Sequence, residues 1–160
     1  MSCVFLGATP GYRTDLWINL GAFFKEFYFS LPFGTAAKAQ DVCKLAGGTL
    51  FEPMDSRVRN AVIDHARRES LGTQFLGDFW LGVNDKNNEG SFVYNSNDMI
   101  VSDSFLNWEP PNPDGLGAEN CVTVKIGNEK WNDRNCDIGD AQFVCESKSF
   151  LILSIQLHSQ

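Results

Sequence analysis

Five side chains that end in oxygen fall between positions 112 and 133: Asn112, Asp114, Glu119, Asn132 and Asp133. Calcium takes about six to eight oxygen ligands from carboxylates, amide and backbone carbonyls and water. Three carboxylates and two amides suit that demand, whereas zinc would want nitrogen and sulfur. Three cysteines, Cys121, Cys136 and Cys145, share the stretch. The pattern predicts a disulfide-held loop, from Trp108 to Cys145, that carries a calcium ion.

The rest of the chain must position that loop. With 160 residues it has room for one domain and one core. The formal charge of −7 repels phosphate backbones, which argues against a nucleic-acid partner. Five cysteines, none in C-x-x-C, and only two histidines argue against a zinc site and for disulfides. Disulfides imply an oxidising compartment, hence a secreted or extracellular protein. An odd count leaves one thiol over, and Cys3 is the isolated one: free, or bridging a second copy of the chain in a homo-oligomer. No good signal peptide is visible. Residues 3–8 are apolar but short, and Lys25 and Glu26 interrupt residues 16–33. A leader outside this sequence is expected rather than reduced cysteines in the cytosol. No run of about 18 uncharged apolar residues exists to span a membrane.

Residues 1–22, with Pro10 and Gly11, show weak pattern and read as irregular. Aromatic density favours a strand within Phe23–Phe33. Thr35 caps a predicted helix over Ala36–Ala46, with Ala39, Val42, Cys43 and Ala46 on one face and Gly47 and Gly48 closing it. Ser56 is the expected cap of a second helix that ends by Gly72, with Val58, Ala61, Val62 and His65 on its stripe. Phe79–Val83 reads as a buried strand, Asn84–Gly90 as a polar turn and Ser91–Tyr94 as the return strand. Residues 95–117 show little regular pattern, and so long a loop in a compact domain is usually functional. Cys121–Ile126 and Ala141–Cys145 complete the strands. Helices first and short antiparallel strands last make an α+β fold. The divisions are an N-terminal segment 1–22, a domain 23–147 and a tail 148–160 carrying the apolar Phe150–Leu153.

Other residues have plainer uses. His65 belongs to a helix face, and His158 lies in the tail. Trp80, Trp108 and Trp131 fit a core. Arg57, Arg59, Arg67 and Arg68 fit a solvated helix face, and Asp137 and Asp140 a turn. No Ser or Cys has an evident base beside it. Asp114 and Glu119 could serve a glycosidase, but a calcium site holds both ionised, so an enzyme is not expected.

These residues resemble the C-type lectin-like domain family. Trp80-Leu81-Gly82-Val83 looks like its W-I-G-L motif and Trp131-Asn132-Asp133 like its W-N-D motif. Cys43, Cys121, Cys136 and Cys145 fall where its four core cysteines fall, and the match covers about residues 24–146. Four cysteines alone allow three pairings. The resemblance implies Cys43–Cys145 and Cys121–Cys136, each worth about 2–4 kcal/mol through restriction of the unfolded chain. Some members carry a further N-terminal pair, of which only Cys3 has a counterpart here.

The resemblance also implies a lectin: Ca2+ held by Asn112, Asp114, Glu119, Asn132 and Asp133, and a glycan bound through two neighbouring hydroxyls. A hydroxyl has one proton to give and a lone pair to accept with. It wants a carboxylate and an amide beside the ion, and Asn112, Asp114, Glu119 and Asn132 supply two of each. Pro113 would be cis, at a cost of about 0.5–1 kcal/mol. Amide before acid in Asn112-Pro113-Asp114 resembles the galactose-type triplet, although Asn112 is shorter than the usual Gln by about 1.5 Å. The stacking Trp that often follows is replaced by Gly115 and Leu116. A rival register reads Glu109-Pro110-Pro111-Asn112 as a mannose-type triplet with one extra proline. Asp85, Glu89, Glu119 and Asn120 match a second calcium site of some members. With Asn120 neutral and Gly115 in place of an Asp, that site is expected to be weak or empty. The other function carried forward is a module of the same fold that binds a protein or a surface, with calcium structural only.

Overall fold

The computed structural model describes residues 18–20, 25–30, 33–71 and 77–147. Cys3, His158, the tail and most of the N-terminal segment lie outside these. The elements in order are β1 (Ile18–Asn19), β2 (Glu26–Phe29), α1 (Ala36–Leu45), β3 (Gly48–Leu50), α2 (Ser56–Leu71), β4 (Asp78–Asn84), β5 (Val93–Tyr94), β6 (Cys121–Lys125), β7 (Trp131–Arg134) and β8 (Gln142–Ser147). The fold is α+β and C-type lectin-like, as expected. The strands run β1-β2-β8-β4-β6-β7, with β3 on β8 and β5 on β4. Pairing is antiparallel except between β4 and β8, which are parallel, so the sheet is mixed and not purely antiparallel.

Local chemistry accounts for the helices. Thr35 Oγ1 accepts the Lys38 N–H at 3.1 Å, a side-chain cap on an otherwise orphaned donor. Ala36, Ala39, Val42 and Cys43 are buried on one face of α1. The cap of α2 is Asp55 rather than the expected Ser56: Asp55 Oδ1 accepts from the N–H groups of Arg57 at 2.7 Å and Val58 at 3.3 Å. Asp and Ser are equally good caps, so sequence alone could not choose between neighbours. The Arg57 guanidinium bonded to Asp55 holds its carboxyl down at about 2.

Three short strands were not legible. Ile18–Asn19, inside the segment expected to be irregular, pairs with β2 through Ile18↔Phe27. Gly48–Leu50 pairs with β8. Trp131–Arg134 pairs with β6 through Val122↔Asp133. Strands of two to four residues are too short to display a period.

The core holds Phe27, Phe51, Phe79, Val122, Trp131 and Val144, all at most 1% exposed. Trp80 is fully buried and its Nε1 donates to the Gly34 carbonyl at 2.7 Å. Gly82 is required by a close approach, since a Cβ there would lie 2.7 Å from the Leu50 carbonyl oxygen. Cys43–Cys145 ties α1 to β8, and Cys121–Cys136 closes the β6–β7 hairpin region. Among the described residues no helix is long and apolar enough to cross a membrane.

Candidate metal centre

The loop that leaves the core at residue 101 returns alongside β7. The Trp131 N–H donates to the Asn107 carbonyl at 2.8 Å, and the Glu109 N–H to the Trp131 carbonyl at 2.9 Å. Trp108 packs edge-on against Trp131, with ring centroids 5.8 Å apart. Lys130 Nζ donates to Asn107 Oδ1 at 2.8 Å. These contacts fix the chain just upstream of Asn112 on the strand that carries Asn132 and Asp133.

The pleat of β7 buries Trp131 and Asp133 and leaves Asn132 and Arg134 half-buried. Asp133 is only 3% exposed. Its Oδ2 accepts the N–H groups of Asp114 and Gly115, each at 2.9 Å. Its buried Oδ1 has no hydrogen-bond partner among the described residues. A buried acceptor left bare is costly, and a carboxylate more so.

Asp114 and Glu119 supply the neighbours. Carboxylate oxygens of Asp114, Glu119 and Asp133 all lie within 4.8 Å of one another. Burial, then the charges on Asp133 and Asp114, push the Glu119 carboxyl above its usual range, while Arg134 pulls it partly back. Three mutually repelling carboxylates, one with a bare buried oxygen, fit a hard divalent cation with all-oxygen ligation.

The structure therefore brings together the three predicted acids. The two predicted amides are their chain neighbours. Asn112 is half-buried, two residues before Asp114, and its N–H donates to the Glu109 carbonyl at 2.8 Å. Asn132 is half-buried immediately before Asp133. The Asn112–Pro113 peptide is cis, and so is Pro110–Pro111.

Glu109 is occupied elsewhere. Its carboxylate pairs with Lys125 Nζ and accepts from Asn128 Nδ2 at 3.2 Å. The hydrogen bond from Lys125 holds that carboxyl below its ordinary range. Glu109 is not one of the three carboxylates of the acidic trio.

The second set behaves differently. Neither Asp85 nor Glu89 belongs to the acidic trio. Asp85 is buried, 2% exposed, at the head of the predicted turn, where its carbonyl accepts the Asn88 N–H at 3.0 Å. Its Oδ2 accepts the Gly90 N–H at 2.8 Å, and its Oδ1 has no hydrogen-bond partner among the described residues. Glu89 Oε2 would lie 3.4 Å from a Cβ on Gly117, and Asn120 Nδ2 donates to the Gly117 carbonyl at 3.2 Å.

Sequence reasoning missed Gly115. A Cβ there would lie 2.2 Å from Glu119 Cβ and 2.8 Å from Glu119 Oε2. Far from being only a lost acid, this glycine is the space into which Glu119 packs. Only the folded contact between Gly115 and Glu119 reveals that, and sequence spacing does not.

Residues 34–147 match the family model described as Lectin C-type domain. The human C-type lectin domain family 3 member A (Homo sapiens) is 37% identical over 110 residues, which is 68% of this chain and 52% of that protein. The chain thus spans about half the length of that curated relative. Two solved structures share the fold at low identity. One is the cow C-type carbohydrate-recognition domain of CD23 in the presence of a GlcNAc2Man3 oligosaccharide, with a TM-score of 0.67 and 24% identity, covering 88% of this chain and 98% of that one. The other is a calcium-independent type II antifreeze protein, with a TM-score of 0.66 and 16% identity, covering 92% and 98%. The motifs, the paired cysteines and the match over 34–147 give one conclusion: the chain belongs to the C-type lectin domain family, whose members are binding modules and not enzymes.

Proposed function

We propose that this domain is a calcium-dependent, carbohydrate-binding lectin of galactose type, acting in an oxidising, extracellular setting. The observation that carries the proposal is the bare, buried Oδ1 of Asp133 beside the carboxylates of Asp114 and Glu119. A calcium ion bound there supplies coordination positions that two neighbouring sugar hydroxyls can fill. Asp114 and Glu119 accept the hydroxyl protons, and the amides of Asn112 and Asn132 donate to the remaining lone pairs. Asp133 anchors the loop through its other oxygen. Amide before acid in Asn112-Pro113-Asp114 supports the galactose type, and the engagement of Glu109 by Lys125 and Asn128 weighs against the mannose register. Asp85, Glu89, Glu119 and Asn120 form a second, weaker metal site, supported by the bare Oδ1 of Asp85.

The test is passage over immobilised galactose and mannose in calcium, followed by elution with a chelator. Retention on galactose, lost in Asp114→Ala and in Asn132→Ala, is the expected result. Retention on neither resin by a protein that still binds calcium would replace this reading with a protein- or surface-binding module whose calcium is structural.

A further inference from the structure

Asp114–Gly115 is the only Asp-Gly pair in the chain, and no Asn-Gly pair occurs. An aspartyl carboxyl carbon can be attacked by the amide nitrogen of the next residue, because the imide ring that results closes without strain. A Cβ on that next residue shields the nitrogen, and glycine has none. Here packing imposes the glycine, since a Cβ on Gly115 would lie 2.2 Å from Glu119 Cβ. The missing Cβ that admits Glu119 thus also leaves the Gly115 nitrogen open to its neighbour. Asp114 is exposed, so water reaches it.

The fold restrains both partners in that reaction. The Gly115 N–H donates to Asp133 Oδ2 at 2.9 Å, and attack requires the nitrogen to give up that proton. A nitrogen stripped of its proton would stand as a second negative charge against the Asp133 carboxylate, which is only 3% exposed and poorly screened by water. The Asp114 carboxylate lies within 4.8 Å of those of Glu119 and Asp133. A calcium ion held by the three would keep the Asp114 oxygens from leaving.

We propose that Asp114–Gly115 is a self-modification site, held intact by the Asp133 hydrogen bond and the ion, which rearranges to isoaspartate when calcium is lost. A bond forms between the Gly115 nitrogen and Asp114 Cγ, and the amide proton, a proton from solvent and a carboxyl oxygen depart as water. Water then adds at the Asp114 main-chain carbonyl carbon and breaks its bond to the Gly115 nitrogen, so the chain runs on through the side-chain carbon. No oxidant or reductant is consumed. The backbone gains a carbon there, and the N–H groups of Asp114 and Gly115, both on Asp133 Oδ2 at 2.9 Å, can no longer share it. The carboxyl left at Asp114 is a carbon shorter, so the product no longer binds calcium. The ion's share in this protection rests on the lectin reading above.

The experiment is prolonged incubation of the full chain in heavy-oxygen water with calcium, with chelator and in urea, followed by peptide mapping that separates aspartate from isoaspartate. Labelled isoaspartate at Asp114 should form slowest with calcium, about tenfold faster with chelator and about tenfold faster again in urea, each step the weight of one charge-assisted interaction on the barrier. In chelator, Asp133→Ala should approach the urea rate. Asp133→Asn, which keeps an acceptor for the Gly115 N–H, should fall between that variant and the parent, and it decides the matter if circular dichroism shows the alanine variant unfolded. No isoaspartate at Asp114 in urea, or equal rates in chelator and urea, would overturn the proposal. So would equal rates with calcium and with chelator in a protein that titration shows to bind calcium, and the lectin reading would stand in all three cases. A chain that binds no calcium would overturn the lectin reading and the ion's share, while a chelated chain still slower than the urea-unfolded one would uphold the restraint by Asp133.

Discussion

The carboxylate of Asp133 is divided between two tasks toward Asp114. One oxygen accepts the Asp114 backbone N–H at 2.9 Å, the other is buried and without a hydrogen-bond partner among the described residues, and the carboxylate lies within 4.8 Å of those of Asp114 and Glu119. A single residue of β7 thus ties down the long loop and completes the acidic trio.

Asp133→Ala, which leaves no acceptor and no ligand, should break both tasks. Hydrogen bonds to a charged group are worth about 1.5–3 kcal/mol each, so the chelated protein should lose at least about 2 kcal/mol of stability. Calcium at a hundred times its Kd should stabilise the parent by about 2.7 kcal/mol and the variant not at all. Thermal melts with calcium and with chelator measure both effects.

Gly115→Ala tests the packing of Glu119. The new Cβ would meet Glu119 Cβ at 2.2 Å and Cγ at 2.5 Å, so the acid must leave its place. Overpacking of this kind costs about 1–3 kcal/mol, and calcium affinity should fall by about tenfold or more. Gly127→Ala, where nothing lies within 4 Å of the added atom, is the matched control and should bind calcium normally.

Glu109→Gln and Glu119→Gln separate the two registers. Glu109 spends its carboxylate on Lys125 and Asn128 and is not one of the acidic trio, so its replacement should leave calcium affinity within about twofold, a change of about 0.4 kcal/mol. Replacement of Glu119 should abolish the high-affinity calcium signal. Isothermal titration with calcium distinguishes them, and the reverse order of effects would restore the mannose register.

Glu146 sets a pH dependence away from the site. It is 4% exposed, and burial pushes its carboxyl up to about 7 despite the Lys25 ammonium at 3.1 Å. Glu52, also buried and also raised by burial, adds repulsion. A carboxyl whose folded value lies above its unfolded one binds its proton more tightly in the native state. Its contribution is therefore most favourable below the unfolded value and is lost as pH rises from about 4.5 to about 7. Glu146→Gln should flatten that part of the stability curve, with a difference on the order of 3 kcal/mol between pH 5 and 8. Urea melts at those two pH values measure it.

Paired removal of the disulfides should divide stability from binding. Cys43–Cys145 closes 102 residues and Cys121–Cys136 closes 15. Loop-closure entropy assigns these about 4.7 and about 3 kcal/mol. Cys43→Ala/Cys145→Ala should therefore lower the denaturation midpoint more. Cys121→Ala/Cys136→Ala should lower calcium affinity more, because Cys121 follows Glu119 by two residues and Cys136 follows Asp133 by three.

Much of this was open to inspection in the linear chain because the chemistry is local. A helix with Thr35 as cap and Ala39, Val42 and Cys43 inward follows from spacing. So does a buried strand at Phe79–Val83, and an oxygen set that suits calcium and not zinc. The same chain could not distinguish Asp55 from Ser56 as a cap, since either side chain accepts the same donors. It could not reveal β3 or β7, which are too short for a period and exist because β8 and β6 offer them edges.

By itself the sequence determined which atoms are available: three carboxylates, two amides, four cysteines in family register and a glycine wherever a backbone must pass closely. Only the folded chain decided which of those atoms meet. It sent Glu109 to Lys125, Glu119 into the space beside Gly115, and Asp133 Oδ2 to the amides of Asp114 and Gly115. Glu109 and Lys125 stand 16 positions apart, and Asp114 and Asp133 stand 19 apart, so those distances exist only once strands have paired and the core has closed.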